Sequence, residues 1–282
     1  MGSVLFHLRR LFGGDFKLLY CNGAPWMPLH YCHRCDFAQL LTGPMVEEAL
    51  SFKVDRKRIF FVPYGVDSRQ FSPEARSLRA ETRALMGIPQ NAEVVLTVAA
   101  LSRRHKRIDY VLRELSTLPE STWFVAAGQR TDETESLEAE ADRLLPARWK
   151  FVSWPHDRIQ ALFGASDAFV LGSMTEGLPI AAIEAMFSGI PVVLHDGPLF
   201  RWAAEGTPAR HVNMSVPGEL RRAVKDALSS GNSCDGREAR KRFSWESLIP
   251  NYIQMYEKAV QGTMIQPRKS GSKEQKTIPM PA

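Results

Sequence analysis

The sequence predicts an α/β fold built on a parallel sheet, and three observations predict it. From Ala92 onward short apolar runs alternate with longer amphipathic segments, a pattern that implies parallel strands joined by right-handed helical crossovers. Helix boundaries are marked by residues suited to them, as with Pro179 in a first turn and Gly189 at a left-handed end. With 44% apolar and 24% charged residues over 282 positions, the chain has the composition of an ordinary globular protein, and length for one large domain or two small ones.

The elements follow in order. At the start, Val4, Leu5, Phe6, Leu8, Leu11 and Phe12 surround His7, Arg9 and Arg10 in a short helical pattern. Packing on its own domain is the expected role, with contact to an anionic membrane surface as the alternative. His30-Tyr31-Cys32-His33-Arg34-Cys35 holds four possible metal ligands in six residues, but no second Cys/His pair follows at zinc spacing. Reduced thiols and no metal are expected. Residues 94–98, 123–127, 151–152, 169–171 and 192–194 read as strands. Helices are expected at 110–115, 136–144, 159–163 and 179–188 between them, then at 219–229 and 246–260. Trp154, Pro155 and His156 follow a strand, where lining a base pocket is one reading and a core tryptophan the favoured one. After Gly262 the composition turns to Lys, Gln, Ser, Pro and Gly without periodicity, which predicts a disordered tail over 261–282. No run is apolar enough to span a bilayer, and no signal-peptide core opens the chain, so a cytoplasmic protein is expected.

Two acids stand out. Glu176 lies in the loop that leaves the strand ending near Leu171, facing the positive end of the following helix, and Glu184 lies one to two turns inside that helix beside Ile180, Ile183 and Phe187. Open α/β sheets bind ligands at such strand ends. The net charge of +5 gathers in several basic clusters. Without interleaved aromatics these read as solvated surface, and no nucleic-acid partner is expected. One cluster differs, because Arg103-Arg104-His105-Lys106-Arg107 directly follows the apolar run 94–100 and so occupies another strand-end loop, where cations can neutralise a diphosphate.

Ser173-Met174-Thr175-Glu176-Gly177-Leu178-Pro179, followed by Glu184-Ala185-Met186 and Gly189-Ile190-Pro191-Val192-Val193, resembles the paired-glutamate signature of retaining family 4 glycosyltransferases. Val62-Pro63-Tyr64-Gly65-Val66-Asp67 resembles that family's interdomain linker, the segment 101–109 its phosphate-binding loop, and Phe243-Ser244-Trp245-Glu246 with Tyr252 and Tyr256 its closing helices. The resemblance is collinear from about Asn22 to Val260. It implies a GT-B-like fold of two facing Rossmann-like units: a partial acceptor-side unit and linker over 1–75, then a near-complete donor unit over 76–260. It also implies transfer of a hexose-type sugar from a nucleoside-diphosphate sugar to a glycan or lipid-linked acceptor, with retention, no metal and no further cofactor. Catalytic roles fall on Glu176 and Lys106. Donor binding falls on Lys106, Arg103 or Arg104, Glu176, Gly177, Leu178 and Glu184, with Glu176 on the sugar and Glu184 on the ribose. A lipid-linked acceptor would suit peripheral contact with the inner membrane surface.

The chain departs from the family in places. Only about seventy residues precede the linker motif, which makes the chain a fragment or dependent on a partner for the rest of the N-terminal half. Leu18-Leu19-Tyr20-Cys21-Asn22-Gly23 resembles the strand and turn that present a histidine in the family, yet Cys21 or Asn22 stands there, and His30 and His33 are unassigned. Ala100 replaces an arginine, and Leu194-His195-Asp196-Gly197-Pro198 replaces a glycine pair. These departures motivate a second reading, a non-catalytic nucleotide-sugar-binding or interaction module. Other classes are excluded, because the dinucleotide glycine fingerprint, the P-loop and the Gly-x-Ser-x-Gly elbow are all missing.

Overall fold

The structure is a computed structural model that describes Leu11 and residues 16–23, 28–230 and 236–262. The amphipathic stretch at 4–12, apart from Leu11, and the tail beyond Gly262 lie outside the described residues. In the first unit β1 (Leu19–Cys21) pairs with β2 (Phe37–Leu40) and β2 with β3 (Ile59–Phe61), all parallel. The crossover from β2 to β3 is α1 (Gly43–Ser51). Thr42 caps it by accepting from Met45 N–H at 3.3 Å, and Pro44 sits in the first turn, where a missing donor costs nothing.

The second unit begins with α2 (Arg79–Met86) and alternates strand and helix thereafter. β4 (Glu93–Val98), α3 (Ile108–Leu115), β5 (Thr122–Ala127), α4 (Thr134–Leu144), β6 (Trp149–Val152) and α5 (Gln160–Ala165) form one half. The other comprises β7 (Ala168–Val170), α6 (Ile180–Phe187), β8 (Val192–His195), α7 (Pro198–Ala203), β9 (Arg210–Val212) and α8 (Glu219–Ser230). The strands are parallel in the order β6-β5-β4-β7-β8-β9, the doubly wound arrangement whose order reverses between the two central strands. Elements expected between 94 and 188 form with ends within two residues of expectation. Outside those expectations fall β2, α1, β3, α2, α7, β9 and α9 (Arg237–Phe243).

Continuous apolar runs are required here because the sheet is covered on both sides. Val94, Leu96, Val125 and Ala127 pack into one core, while Val95, Phe124 and Ala126 pack into the other. The final helix, α10 (Trp245–Gln261), starts at the Ser244 cap and reaches back to the small sheet. Its Tyr252 hydroxyl donates to Pro63 O at 3.0 Å and accepts from Gln39 Nε2 at 3.1 Å. Beside it the two crossings between the units pair with each other: Val66 N–H donates to Phe243 O at 2.8 Å, and Trp245 N–H to Val66 O at 3.2 Å. Among the described residues no helix is long and apolar enough to cross a membrane.

One tight contact gives a stability prediction. A Cβ on Gly164 of α5 would lie 2.0 Å from Ala75 O, inside the segment that leads into α2. Main chain cannot yield as a flexible side chain can. Gly164→Ala is expected to cost about 1–3 kcal/mol, read as a lower urea midpoint with an unchanged slope. An unaltered midpoint would show that the contact is slack.

Candidate functional site

Where strand order reverses, the loops leaving the two central strands diverge and open a crevice at the carboxyl ends. Here those strands are β4 and β7, and Thr97 Oγ1 ties them by donating to Val170 O at 2.7 Å. At Gly172 the two loops meet. A Cβ there would stand 2.8 Å from Lys106 O and 2.9 Å from Val111 Cγ2, so a side chain would push the loops apart. Arg107 takes the left-handed conformation at φ 50°. Its guanidinium lies 4.2 Å from the Tyr110 ring and donates to Met214 O at 3.1 Å. That anchored turn sends the chain into α3 and holds His105 and Lys106 against the facing loop.

The result is a carboxylate held between two basic side chains. Lys106 Nζ lies 2.6 Å from Glu176 Oε1, with the lysine side chain 19% exposed and the glutamate 8%. His105 Nε2 is 3.7 Å from the other carboxylate oxygen and 2.9 Å from Thr175 O. Because a carbonyl only accepts, that Nε2 carries the proton. A carboxylate so far out of water needs such partners. Lysine has three donors, so Lys106 can keep Glu176 and still offer two hydrogens to an incoming anion.

Gly177 and Leu178 are buried on the way to α6. Pro179 caps that helix rather than opening it, one residue later than the expected start. Glu184 sits in its second turn, partly buried, and among the described residues its carboxylate has no hydrogen-bond or ion-pair partner. Burial pushes its pKa up from 4.5 to about 7. An unmatched acceptor of this kind suits ligand hydroxyls.

The two arginines of the loop go elsewhere. The Arg103 guanidinium is taken by α4, at 2.5 Å from Glu140 Oε2 and 3.0 Å from Ser136 O, and the Arg103 main-chain N–H donates to Glu133. The Arg103 side chain, expected at the ligand, thus lies against α4, held by Glu140 and Ser136. Arg104 is exposed. Its side chain makes no hydrogen bond or ion pair among the described residues. The turn after β8 is shaped by Gly197, which precedes Pro198 at the start of α7, and by Asp196 paired with Arg201. His195 there accepts from Met214 N–H at 3.3 Å through Nδ1, and burial lowers its pKa.

In the small unit Asn22 is buried, and Cys21 Sγ lies 3.2 Å from the Tyr64 hydroxyl. Cys32 and Cys35 are buried, and His33 Nε2 bonds Phe52 O at 2.6 Å. Among the described residues no cluster of three or more His, Cys, Asp or Glu is placed to hold a metal. Trp154 packs against the core and donates from Nε1 to Arg158 O at 3.0 Å. The sequence reading passed over His105. Its signal was adjacency to Lys106 within one strand-end loop.

Fold and crevice together define a GT-B-like glycosyltransferase architecture. The solved Anabaena Alr3699/HepE in complex with UDP-glucose superposes with a TM-score of 0.76 at 19% identity, over 92% of this chain and 76% of that one. The sucrose-phosphate synthase of Thermosynechococcus elongatus gives a TM-score of 0.75 at 21% identity, over 91% of this chain and 71% of that one. The family described as "Glycosyl transferases group 1" matches residues 79–244, and the chain belongs to it. Among curated relatives, the Streptococcus pneumoniae alpha-galactosylglucosyldiacylglycerol synthase is 22% identical over 81% of this chain and 62% of its own length. The Escherichia coli UDP-Gal:alpha-D-GlcNAc-diphosphoundecaprenol alpha-1,3-galactosyltransferase is 26% identical over 50% of this chain and 37% of its own. The chain spans about half the length of the curated relatives it matches.

Proposed function

We propose that this chain is the donor-binding part of a retaining, metal-independent family 4 glycosyltransferase that takes a hexose-type sugar from a nucleoside-diphosphate sugar. The observation that carries this reading is the contact of Lys106 with Glu176, 2.6 Å apart, at the carboxyl ends of the two strands where the sheet order reverses. Transfer breaks the bond between the anomeric carbon and a phosphate oxygen while the acceptor oxygen bonds that carbon, so negative charge grows on the diphosphate. Lys106 and the amides at the start of α6 would stabilise that charge. Glu176 would accept from hydroxyls of the sugar, and Glu184 from the ribose.

The acceptor is a glycan or a lipid-linked one: some curated relatives are named mannosylfructose-phosphate synthase and D-inositol 3-phosphate glycosyltransferase, while the two curated relatives above act on lipids by name. Peripheral contact with an inner membrane surface would follow from a lipid-linked acceptor. The acceptor-side elements would lie in the part of the relatives that this chain does not span, on the same polypeptide or on a partner. A second reading, a binding module without transfer, is motivated by the small unit, where a buried Asn22 and a Cys21 beside Tyr64 stand where the family carries histidine.

Calorimetry with uridine and guanosine diphosphates tests donor binding. Heat with one of them is expected, and Lys106→Ala should weaken it by about 1.5–3 kcal/mol, the worth of a charged hydrogen bond. No heat with either nucleotide would refute the reading. Binding of the matching nucleotide-sugar without turnover on any acceptor would favour the module.

A further inference from the structure

We infer that His105 is a positioning residue that holds the Glu176 loop to the phosphate loop, an inference that rests on the donor-site reading above. Consecutive residues straddle one carboxylate: Lys106 takes Oε1 at 2.6 Å, while His105 faces Oε2 at 3.7 Å. The stronger contact of the imidazole is not with the carboxylate. It donates to the main-chain carbonyl of Thr175 at 2.9 Å, one residue before Glu176. Among the described residues, the main chain from 173 to 177 makes no other hydrogen bond.

The surroundings of that loop make the tie consequential. Met174 and Thr175 are exposed, so the loop tip gains little from packing, whereas Gly172 below it is wedged against Lys106 and Val111. A segment clamped at its base and free at its tip would let the Glu176 carboxylate swing on the Lys106 ammonium, a point charge that accepts many directions. The imidazole removes that freedom. Its ring is rigid, and its hydrogen bond fixes the Thr175 carbonyl, and with it the backbone direction into Glu176. His105 therefore acts on the sugar through Glu176 and leaves the diphosphate to Lys106.

The experiment uses the full chain with His105→Ala and His105→Gln, the amide of glutamine standing in for Nε2–H. Backbone amide order parameters at 173–177 in the free protein are expected to fall in the alanine variant and to return toward wild type in the glutamine variant. Unchanged order parameters there would overturn the inference whatever the ligand does. Calorimetry then compares UDP with UDP-glucose, and GDP with GDP-mannose. His105→Ala should leave nucleoside-diphosphate affinity within about twofold and weaken the nucleotide-sugar about tenfold, with the effect nearly absent in a Glu176→Gln background. Equal losses for both ligands would make His105 a phosphate ligand and overturn the positioning role. Lower order at 173–177 in a protein whose wild type binds none of the four probes would instead sink the donor-site reading, and with it the role in sugar binding.

Discussion

Arg83→Met lowers folding stability by about 2–4 kcal/mol, the cost of main-chain acceptors left buried without donors, because Arg79 and Arg76 still pair Asp167 at 2.8 and 3.2 Å. Arg83 is completely buried, yet every arm of its guanidinium is used. Nε donates to Ala165 O at 2.9 Å, Nη1 to Gln90 O and Ala92 O at 2.8 Å each, and Nη2 to Asp167 Oδ2 at 2.7 Å. Asp167 in turn accepts from Val94 N–H at 2.9 Å, so the pair staples α2 and the turn before β4 to the amino end of β7. Burial lowers the arginine pKa, and the Asp167 charge partly opposes that. Methionine fills the volume but leaves the Gln90 and Ala92 carbonyls unmet, while Arg79 still donates to Ala165 O at 3.2 Å. Lysine keeps the charge without the fork and should recover only part of the loss. Urea unfolding of the two variants checks this, and a methionine variant as stable as wild type would show that the network is dispensable.

Glu184→Gln should do the opposite at high pH, raising stability while weakening the proposed ribose contact. The ordinary glutamate value is 4.5 and the folded value about 7. Between them the folded chain keeps a proton that the unfolded chain has released, so stability falls as pH rises through that window. Above it the full cost of burying the charge is present, on the order of 3 kcal/mol from the size of the shift. Glutamine cannot ionise. Its unfolding curve should lie above wild type at about pH 8 and merge with it near pH 4–5. Parallel curves across that range would show that the carboxylate is well solvated. A donor that binds through the ionised carboxylate would oppose the wild-type slope, so nucleotide affinity should strengthen as pH climbs through 7 in wild type alone.

The fold was legible where strands are buried on both sides. Runs such as Val94-Val95-Leu96 and Phe124-Val125-Ala126 have one physical explanation, whichever helices cover them. β9 was missed because Arg210-His211-Val212 is an edge strand with a single apolar residue. In the crevice, Glu176 and Lys106 were readable from their places after strands, because chain order alone brings those loops to the order reversal. The fate of Arg103 was not. A basic cluster shows its charge but not its direction, and direction was decided by Glu140 and Ser136, thirty-odd residues away on the neighbouring helix. Arg83 was hidden for a related reason. A charged residue on an amphipathic helix reads as solvent-facing until the carbonyls that surround it are known.

The paired crossings at Val66 and Ser244 carry a consequence beyond holding two sheets together. Everything from Asp67 to Phe243 is topologically an insertion whose two ends lie side by side, one hydrogen bond apart. Such a cassette can be exchanged at its two ends provided the replacement keeps the packing of Trp202 on Phe61 and Gly43. Donor preference and acceptor preference could then be reassorted by exchanging a single uninterrupted stretch of gene, joined at two neighbouring seams.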